Sequence, residues 1–311
     1  MKVLISGASG LVGSELVRQL TARGDEAYRL VRRAPDNNFE IQWDPETQRI
    51  PEDALDGIDA VVNLAGATTG KIPWTKKYKQ EIVSSRINST KTLVSAINRA
   101  TNKPKVLVSG SASGFYGDKP GEVLTETSPK GTGFLSDLAA QWEVEAAKAE
   151  TRVVLVRTTM VMSKSLGALG RLLPLIKLGI GGPLGSGKQD WAWISLVDEA
   201  RAIIHLIENQ KTEGAYNLTA PEPATCGQIV ASLAKKLHRP AIIPVPKFAL
   251  NLLIGEAARE LLLCSQNMSA DKLISSGFQF THPTLDQASA WVVEKNSESS
   301  YSTSLKIKKG P

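Results

Sequence analysis

Short apolar runs alternate with amphipathic stretches through the first half of the chain. KVLIS at 2–6 predicts a buried strand, and SELVRQLTARG after it predicts a helix closed by Gly24. EAYRLVRR predicts a second strand and AVVNLAG a third that ends in a loop. A long helix follows over roughly 74–100, and KVLVSGSAS is an apolar strand ending in serines. LSDLAAQWEVEAAKAE has a helical pattern, and RVVLVRTTMVM reads as one further strand. Near-continuous apolar strands alternating with helices predict an α/β fold, a doubly wound parallel sheet covered on both faces.

From about residue 165 the pattern changes. GALGRLLPLIKLGIGGPLGSGKQD is rich in glycine and predicts a pocket-shaping loop with a short helix. Residues 194–210 read as a helix with strand-like edges, AYNLTAP as a late strand, and 225–238, 246–264 and 284–294 as helices. The closing NSESSYSTSLKIKKGP has no hydrophobic period and reads as disordered.

The stretch GASGLVG joins the first strand to the first helix, the context in which a glycine-rich turn cradles a dinucleotide's phosphates. Gly7 allows the sharp turn, Gly10 leaves room for pyrophosphate, and Gly13 lets helix and strand pack closely. Ser9, Leu11 and Val12 complete the cofactor-facing loop, and the helix start offers unpaired N–H groups to the phosphates.

The spacing G-x-x-G-x-x-G resembles that of extended short-chain dehydrogenase/reductases, as do Asn63-Leu64-Ala65-Gly66 and the serine-rich strand end with Phe115-Tyr116-Gly117. SASGFYGD, GGPLGSGKQ, WAWISLVDEA, YNLTAPEP and RPAIIPVP together resemble an atypical, nucleoside-diphosphate-sugar epimerase-like branch of the NAD-dependent epimerase/dehydratase superfamily. Its members are sometimes labelled cell division inhibitors, a label with no physical counterpart in these residues. The resemblance covers about 1–294 and implies a Rossmann-type domain, mainly 1–165, whose sheet is completed by parts of 190–220. A smaller C-terminal lobe, mainly 166–295, would supply the substrate side, leaving 296–311 as tail. One departure is Ser195, where the branch commonly has histidine after Trp-Ile.

An NAD site usually sets Asp or Glu at the end of the second strand, against the ribose hydroxyls. Here that strand ends Val31-Arg32-Arg33, with no acid until Asp36. An acid would repel a 2′-phosphate and a guanidinium can grip it, so the cofactor is expected to be NADP(H), held by Arg32 first and Arg33 second. Arg86 is a further candidate, with Glu81 orienting it or reaching the adenosine ribose. By resemblance, Leu64, Ala65 and Gly66 line the adenosine side and Met160 the nicotinamide end.

Typical members carry Y-x-x-x-K, a tyrosine acid/base whose pKa the lysine lowers. The five tyrosines are followed four positions later by Arg32, Ile82, Pro120, Ala220 and Leu305, so the motif is absent. In GFLSDLAAQWE, Phe134 falls at the tyrosine position and Leu138 at the lysine position. The remaining catalytic candidates are Ser111, counted along the strand, and Tyr116. Counting back from Tyr116-Gly117 would put Ala112 at the serine position, which implies a one-residue insertion. Glu143 reads as a surface or capping carboxylate. Ser113, Arg157, Gln189 and Trp193 are substrate-side candidates, Arg157 being equally readable as half of an internal ion pair.

Charge and composition alter this picture little. The formal charge of +6 is scattered, without the basic-aromatic clusters of a nucleic-acid binder, and suits a polyphosphate ligand. No apolar run is long enough for a membrane helix. Cys226 and Cys264 suit reduced thiols in the cytoplasm, and His205, His238 and His282 have no metal-ligand spacing. The expected partner is a small-molecule substrate or effector, the chain being a monomer or homodimer. Two readings stay open: an NADP-dependent oxidoreductase or epimerase-like enzyme lacking the usual pair, and a non-catalytic NADP(H)-binding regulator.

Overall fold

The computed structural model describes residues 1–164 and 167–294; the tail expected to be disordered lies outside them. In chain order the elements are β1 (Lys2–Ser6), α1 (Leu11–Ala22), β2 (Glu26–Val31), β3 (Glu40–Gln42), β4 (Ala60–Asn63), α2 (Lys76–Arg99) and β5 (Val106–Ala112). After a 3-10 turn (Ser113–Tyr116) come β6 (Val123–Leu124), α3 (Phe134–Ala146), β7 (Arg152–Thr158), β8 (Met160–Met162) and α4 (Gly167–Lys177). The rest are β9 (Trp193–Ser195), α5 (Leu196–Glu208), β10 (Gly214–Leu218), α6 (Cys226–Lys236), α7 (Lys247–Ile254), α8 (Glu256–Leu261), β11 (Asn267–Met268), α9 (Asp271–Ser275) and α10 (Leu285–Val293).

Seven parallel strands form the central sheet in the order β10-β7-β5-β4-β1-β2-β3. Strand alternation feeds two cores. Val3, Ile5, Val62 and Val108 pack with Leu16 and Leu20 of α1 and Ile203 and Ile207 of α5. Leu4, Val61 and Leu107 face the other way, onto Leu93 and Ile97 of α2. Burial on both faces is why these strands read as unbroken apolar runs. The result is the Rossmann arrangement, in which the chain reverses direction at β1 and opens a cleft beyond the strand carboxyl ends.

The C-terminal lobe has its own core, where Trp191 and Trp193 pack with Ile229, Val230 and Leu233 of α6 and with Ala288 and Val292 of α10. Capping boxes at Thr225/Gln228 and Thr284/Gln287 start α6 and α10. Cys226 and Cys264 are buried free thiols, and burial pushes them up to about 11 and about 12.

Two expected elements divide. RVVLVRTTMVM breaks at Thr159, whose hydroxyl bonds the Leu218 carbonyl, and β8 leaves the sheet to pair with β9. The expected helix over 246–264 is two, α7 and α8, parted at Gly255.

The lobe clasps the sheet domain through α8. The N-cap of α3, Gly133, has no capping side chain. Instead Glu260 accepts the Phe134 and Leu135 N–H groups at 3.0 and 2.9 Å. Lys79 of α2 reaches both Glu256 oxygens at 2.9 Å while lying 4.3 Å from the Phe134 ring centre. Glu260→Ala is expected to lose a cap of about 1 kcal/mol and lower the melting temperature by about 2–4 °C in calorimetry.

Candidate active site at the strand carboxyl ends

The phosphate loop is shaped by two close approaches. Gly7 has φ 71°, and a Cβ there would overlap the Leu64 carbonyl; a Cβ on Gly13 would overlap the Gly7 carbonyl. The turn closes with the Gly10 N–H on the Gly7 carbonyl at 2.9 Å. Gly10 is the N-cap of α1 and supplies no side-chain cap, so the N–H groups opening the helix face outward beside exposed Ser9. That geometry accepts an anion. Leu11 and Val12 are half-buried, with Val12 against the core.

A buried hydroxyl-amide chain carries this loop toward the centre of the cleft. Ser6 Oγ donates to Asn63 Oδ1 at 2.6 Å, and Asn63 Nδ2 to Thr90 Oγ1 at 2.9 Å. Thr90 also accepts Trp142 Nε1 at 2.9 Å and donates to the Arg86 carbonyl, so its hydroxyl is fully used. Leu64, Ala65 and Gly66 run above this chain, with the Leu64 and Ala65 N–H groups on Ser6.

Arg86 lies beneath Gly66. Its Nη1 bonds the Ala67 and Ile82 carbonyls at 3.0 and 3.1 Å, and its guanidinium is 5.3 Å from the Trp142 ring centre. Burial lowers it to about 10, and among the described residues it meets no carboxylate. Glu81 stands exposed on α2 and makes no pair with it there.

At the end of β2 the two arginines differ. Arg33 grips Glu40 of β3 with both Nη atoms, at 2.8 and 2.9 Å, and holds its carboxyl down to about 2. It also pairs with Asp36 at 3.1 Å. Arg33, expected as the second phosphate contact, thus already has carboxylate partners. Arg32 is exposed and has no ion pair among the described residues.

At the ends of β5 and β7, Ser111 stands opposite Arg157 in register. Ser111 Oγ donates to Glu143 Oε1 of α3 at 2.6 Å. Arg157 clamps the same carboxylate, Nε to Oε1 at 2.8 Å and Nη2 to Oε2 at 2.9 Å. Arg157 Nη1 reaches Tyr116 Oη at 2.8 Å and the Glu126 carbonyl at 3.2 Å, and the guanidinium stacks 3.6 Å from the Phe115 ring centre. Arg157 is therefore the internal ion pair and not a substrate-phosphate contact.

Tyr116 is also corrected. It is 0 % exposed, and its hydroxyl is held inside the fold, donating to Asn217 Oδ1 at 2.7 Å. Burial raises it above the usual phenol range. Phe134 packs edge-on to Trp74, and Leu138 is buried with Tyr78 and Ile82. Neither position leaves a proton carrier.

The substrate-side candidates divide in the same way. Ser113 is half-buried at the start of the 3-10 turn, its carbonyl bonded by Gln266. Gln189 is buried, donating to the Leu184 and Leu262 carbonyls at 2.9 and 3.0 Å, and Trp193 is fully buried. Trp193 packs in the core of the C-terminal lobe, and Gln189 ties two of its loops together. Met160 is half-buried against the lobe core, just beyond the end of β7.

Two features escape a linear reading. Glu143 lies on the buried stripe Leu138, Ala139, Trp142, Glu143, Ala146 of α3; a lone carboxylate on that stripe is the signal that could have found it. The other is Ser195, which caps α5 and bonds Asp198 Oδ2 and His282 Nδ1, both at 3.0 Å. The imidazole of His282 thus meets the side chain of Ser195, the position where the resemblance leads one to expect histidine. Asp198 accepts the Thr281 and His282 N–H groups at 2.7 and 2.8 Å, fixing the last segment to α5.

Residues 3–219 match the NAD dependent epimerase/dehydratase family, and 245–292 match DUF1731, a domain of unknown function. An epimerase family protein of Mycobacterium leprae is 38 % identical over 299 residues, covering 95 % of this chain and 97 % of that protein. A chloroplastic SDR39U1 homolog of Arabidopsis thaliana is 35 % identical over 307 residues, covering 93 % of this chain and 85 % of the homolog. The crystal structure of human epimerase family protein SDR39U1 (isoform 2) with NADPH superposes with a TM-score of 0.88 at 31 % identity, covering 95 % of this chain and all of that one. No helix among the described residues is long and apolar enough to cross a membrane.

Proposed function

The chain belongs to the NAD dependent epimerase/dehydratase family, and from that premise we propose that it is an NADP(H)-dependent oxidoreductase or epimerase-like enzyme acting on a small carbonyl or sugar-nucleotide-type substrate. The observation that carries the cofactor choice is Arg32, an exposed guanidinium at the end of β2 that has no ion pair among the described residues, where the nearby acids are held by Arg33. The cradle fits the rest of the molecule. Gly7 and Gly13 leave no space for side chains, and the uncapped start of α1 offers N–H groups to the pyrophosphate. The NADPH in the human relative's crystal structure supports the same choice.

When bound, the nicotinamide supplies or accepts hydride. Of the chain's own groups, Arg32 holds the 2′-phosphate and Arg86 offers a cation under the Gly66 loop to the cofactor or to an anionic substrate. Ser111 meets the reacting oxygen at the end of β5. Two reduced, buried thiols suit a cytoplasmic setting.

The test is oxidation of bound NADPH, followed by nicotinamide fluorescence, against a panel of aldehydes, ketones and nucleotide sugars. Turnover with at least one panel member is the expected result. Tight NADPH binding without turnover on any member would favour a regulator over an enzyme.

A further inference from the structure

Resting on the oxidoreductase reading above, we infer that Glu143 is the proton terminus of the reaction, acting through the Ser111 hydroxyl, with Arg157 replacing the missing lysine as the partner cation. Three observations carry this. The helix that would bear tyrosine and lysine carries Phe134 and Leu138, neither able to carry a proton, packed on Trp74 and on Tyr78 and Ile82. Glu143, on that same helix, accepts the Ser111 hydroxyl at 2.6 Å at the end of β5. Arg157 then fixes the carboxylate through both oxygens.

A serine hydroxyl has one proton and two lone pairs. With its proton committed to Glu143, Ser111 presents only lone pairs to the cleft. It can accept a bond from a substrate hydroxyl but cannot donate one to a carbonyl until Glu143 has been protonated. In the oxidation direction the substrate C–H bond breaks and its electron pair leaves as hydride to the nicotinamide of NADP+. The substrate O–H proton moves to Ser111 Oγ, and the proton already on Ser111 moves to Glu143 Oε1. The products are the carbonyl, NADPH and a protonated Glu143; reduction is the reverse. Glu143 is thus a positioning residue and Ser111 the catalytic one. Arg157 from β7 is the cation in contact with Glu143; Tyr116 and the Glu126 carbonyl touch Arg157, and Lys272 lies within electrostatic reach of both Arg157 and Glu126.

The experiment compares the parent chain with Ser111→Ala and Glu143→Gln in three readouts: NADPH affinity, downfield proton NMR, and reduction of para-nitrobenzaldehyde. NADPH affinity should stay within about threefold in all three proteins, because neither residue belongs to the phosphate cradle. The parent should show a downfield, exchange-protected hydroxyl resonance that Ser111→Ala loses and Glu143→Gln shifts. The turnover number should fall by about 100-fold or more in both variants, the scale of a lost acid–base function. Should Glu143→Gln fail to fold, Ser111→Ala, which leaves the ion pair whole, decides alone. A resonance that is absent from the parent or survives in Ser111→Ala, or turnover by Ser111→Ala within threefold of the parent, overturns the relay while the oxidoreductase reading stands. A parent that binds NADPH but leaves the aldehyde untouched overturns both. A parent that binds no NADPH overturns the cofactor reading, and with it the relay.

Discussion

Arg157→Met is expected to destabilise the chain by about 3–5 kcal/mol, the loss typical of removing one partner from a buried ion pair. Arg157 is 4 % exposed, and the Glu143 carboxylate it clamps is hardly more so. Without the guanidinium that carboxylate stays desolvated with only the Ser111 hydroxyl for company, and Tyr116 loses its bond as well. The attraction within the pair does not set this cost; the stranded charge does. It follows that replacing both partners, Arg157→Met with Glu143→Leu, should recover most of the lost stability while leaving no proton terminus. Urea unfolding midpoints of the parent, the single and the double variant read this directly. A double variant as unstable as the single one would show that Arg157 matters for packing and not for its charge.

Glu199→Gln is expected to stabilise the chain by about 2–4 kcal/mol near pH 8 and to flatten its pH dependence. Glu199 of α5 is wholly buried; its Oε1 accepts the Thr158 hydroxyl at 2.6 Å, and its Oε2 has no hydrogen-bond partner among the described residues. Burial pushes the carboxyl up to about 8 from its ordinary value near 4.5. Between those values the folded chain keeps a proton that the unfolded chain has shed. The contribution of this group is therefore complete below about pH 4.5 and is lost as pH rises toward 8, at up to about 1.4 kcal/mol per unit. Glutamine is neutral throughout and removes that slope. Unfolding midpoints of parent and variant at about pH 5.5 and about pH 8 should diverge at the higher pH; parallel behaviour would mean that Glu199 is ionised in the fold.

Much of the fold was legible because it rests on local chemistry. Unbroken apolar runs announced strands buried on both faces, and the glycines of GASGLVG stand where a side chain would overlap a carbonyl. The lack of Tyr and Lys could be read from letters alone. What could not be read was pairing across the fold. Arg33 looked as free as Arg32 until β3 brought Glu40 to it. Glu143 and Arg157 are neighbours only because α3 packs on the ends of β5 and β7, and a helical pattern does not say which polar residue faces the sheet. Gln189 and Trp193 were expected on the substrate side, yet Trp193 is buried against α6 and α10 and Gln189 is bonded to the Leu184 and Leu262 carbonyls, contacts made far along the chain. The β8–β9 pair escaped for a similar reason: each strand has three residues, too few for a period to appear.

In the function proposed above, the cradle selects the phosphorylated dinucleotide through Arg32. Its most direct test is a paired titration of the purified chain with NADPH and NADH, read by nicotinamide fluorescence, repeated with Arg32→Ala. A charge-assisted bond to the 2′-phosphate predicts that NADPH binds at least about tenfold more tightly than NADH, with that advantage lost in the variant. Equal affinities in the parent, or an NADPH preference that survives Arg32→Ala, would contradict the claim.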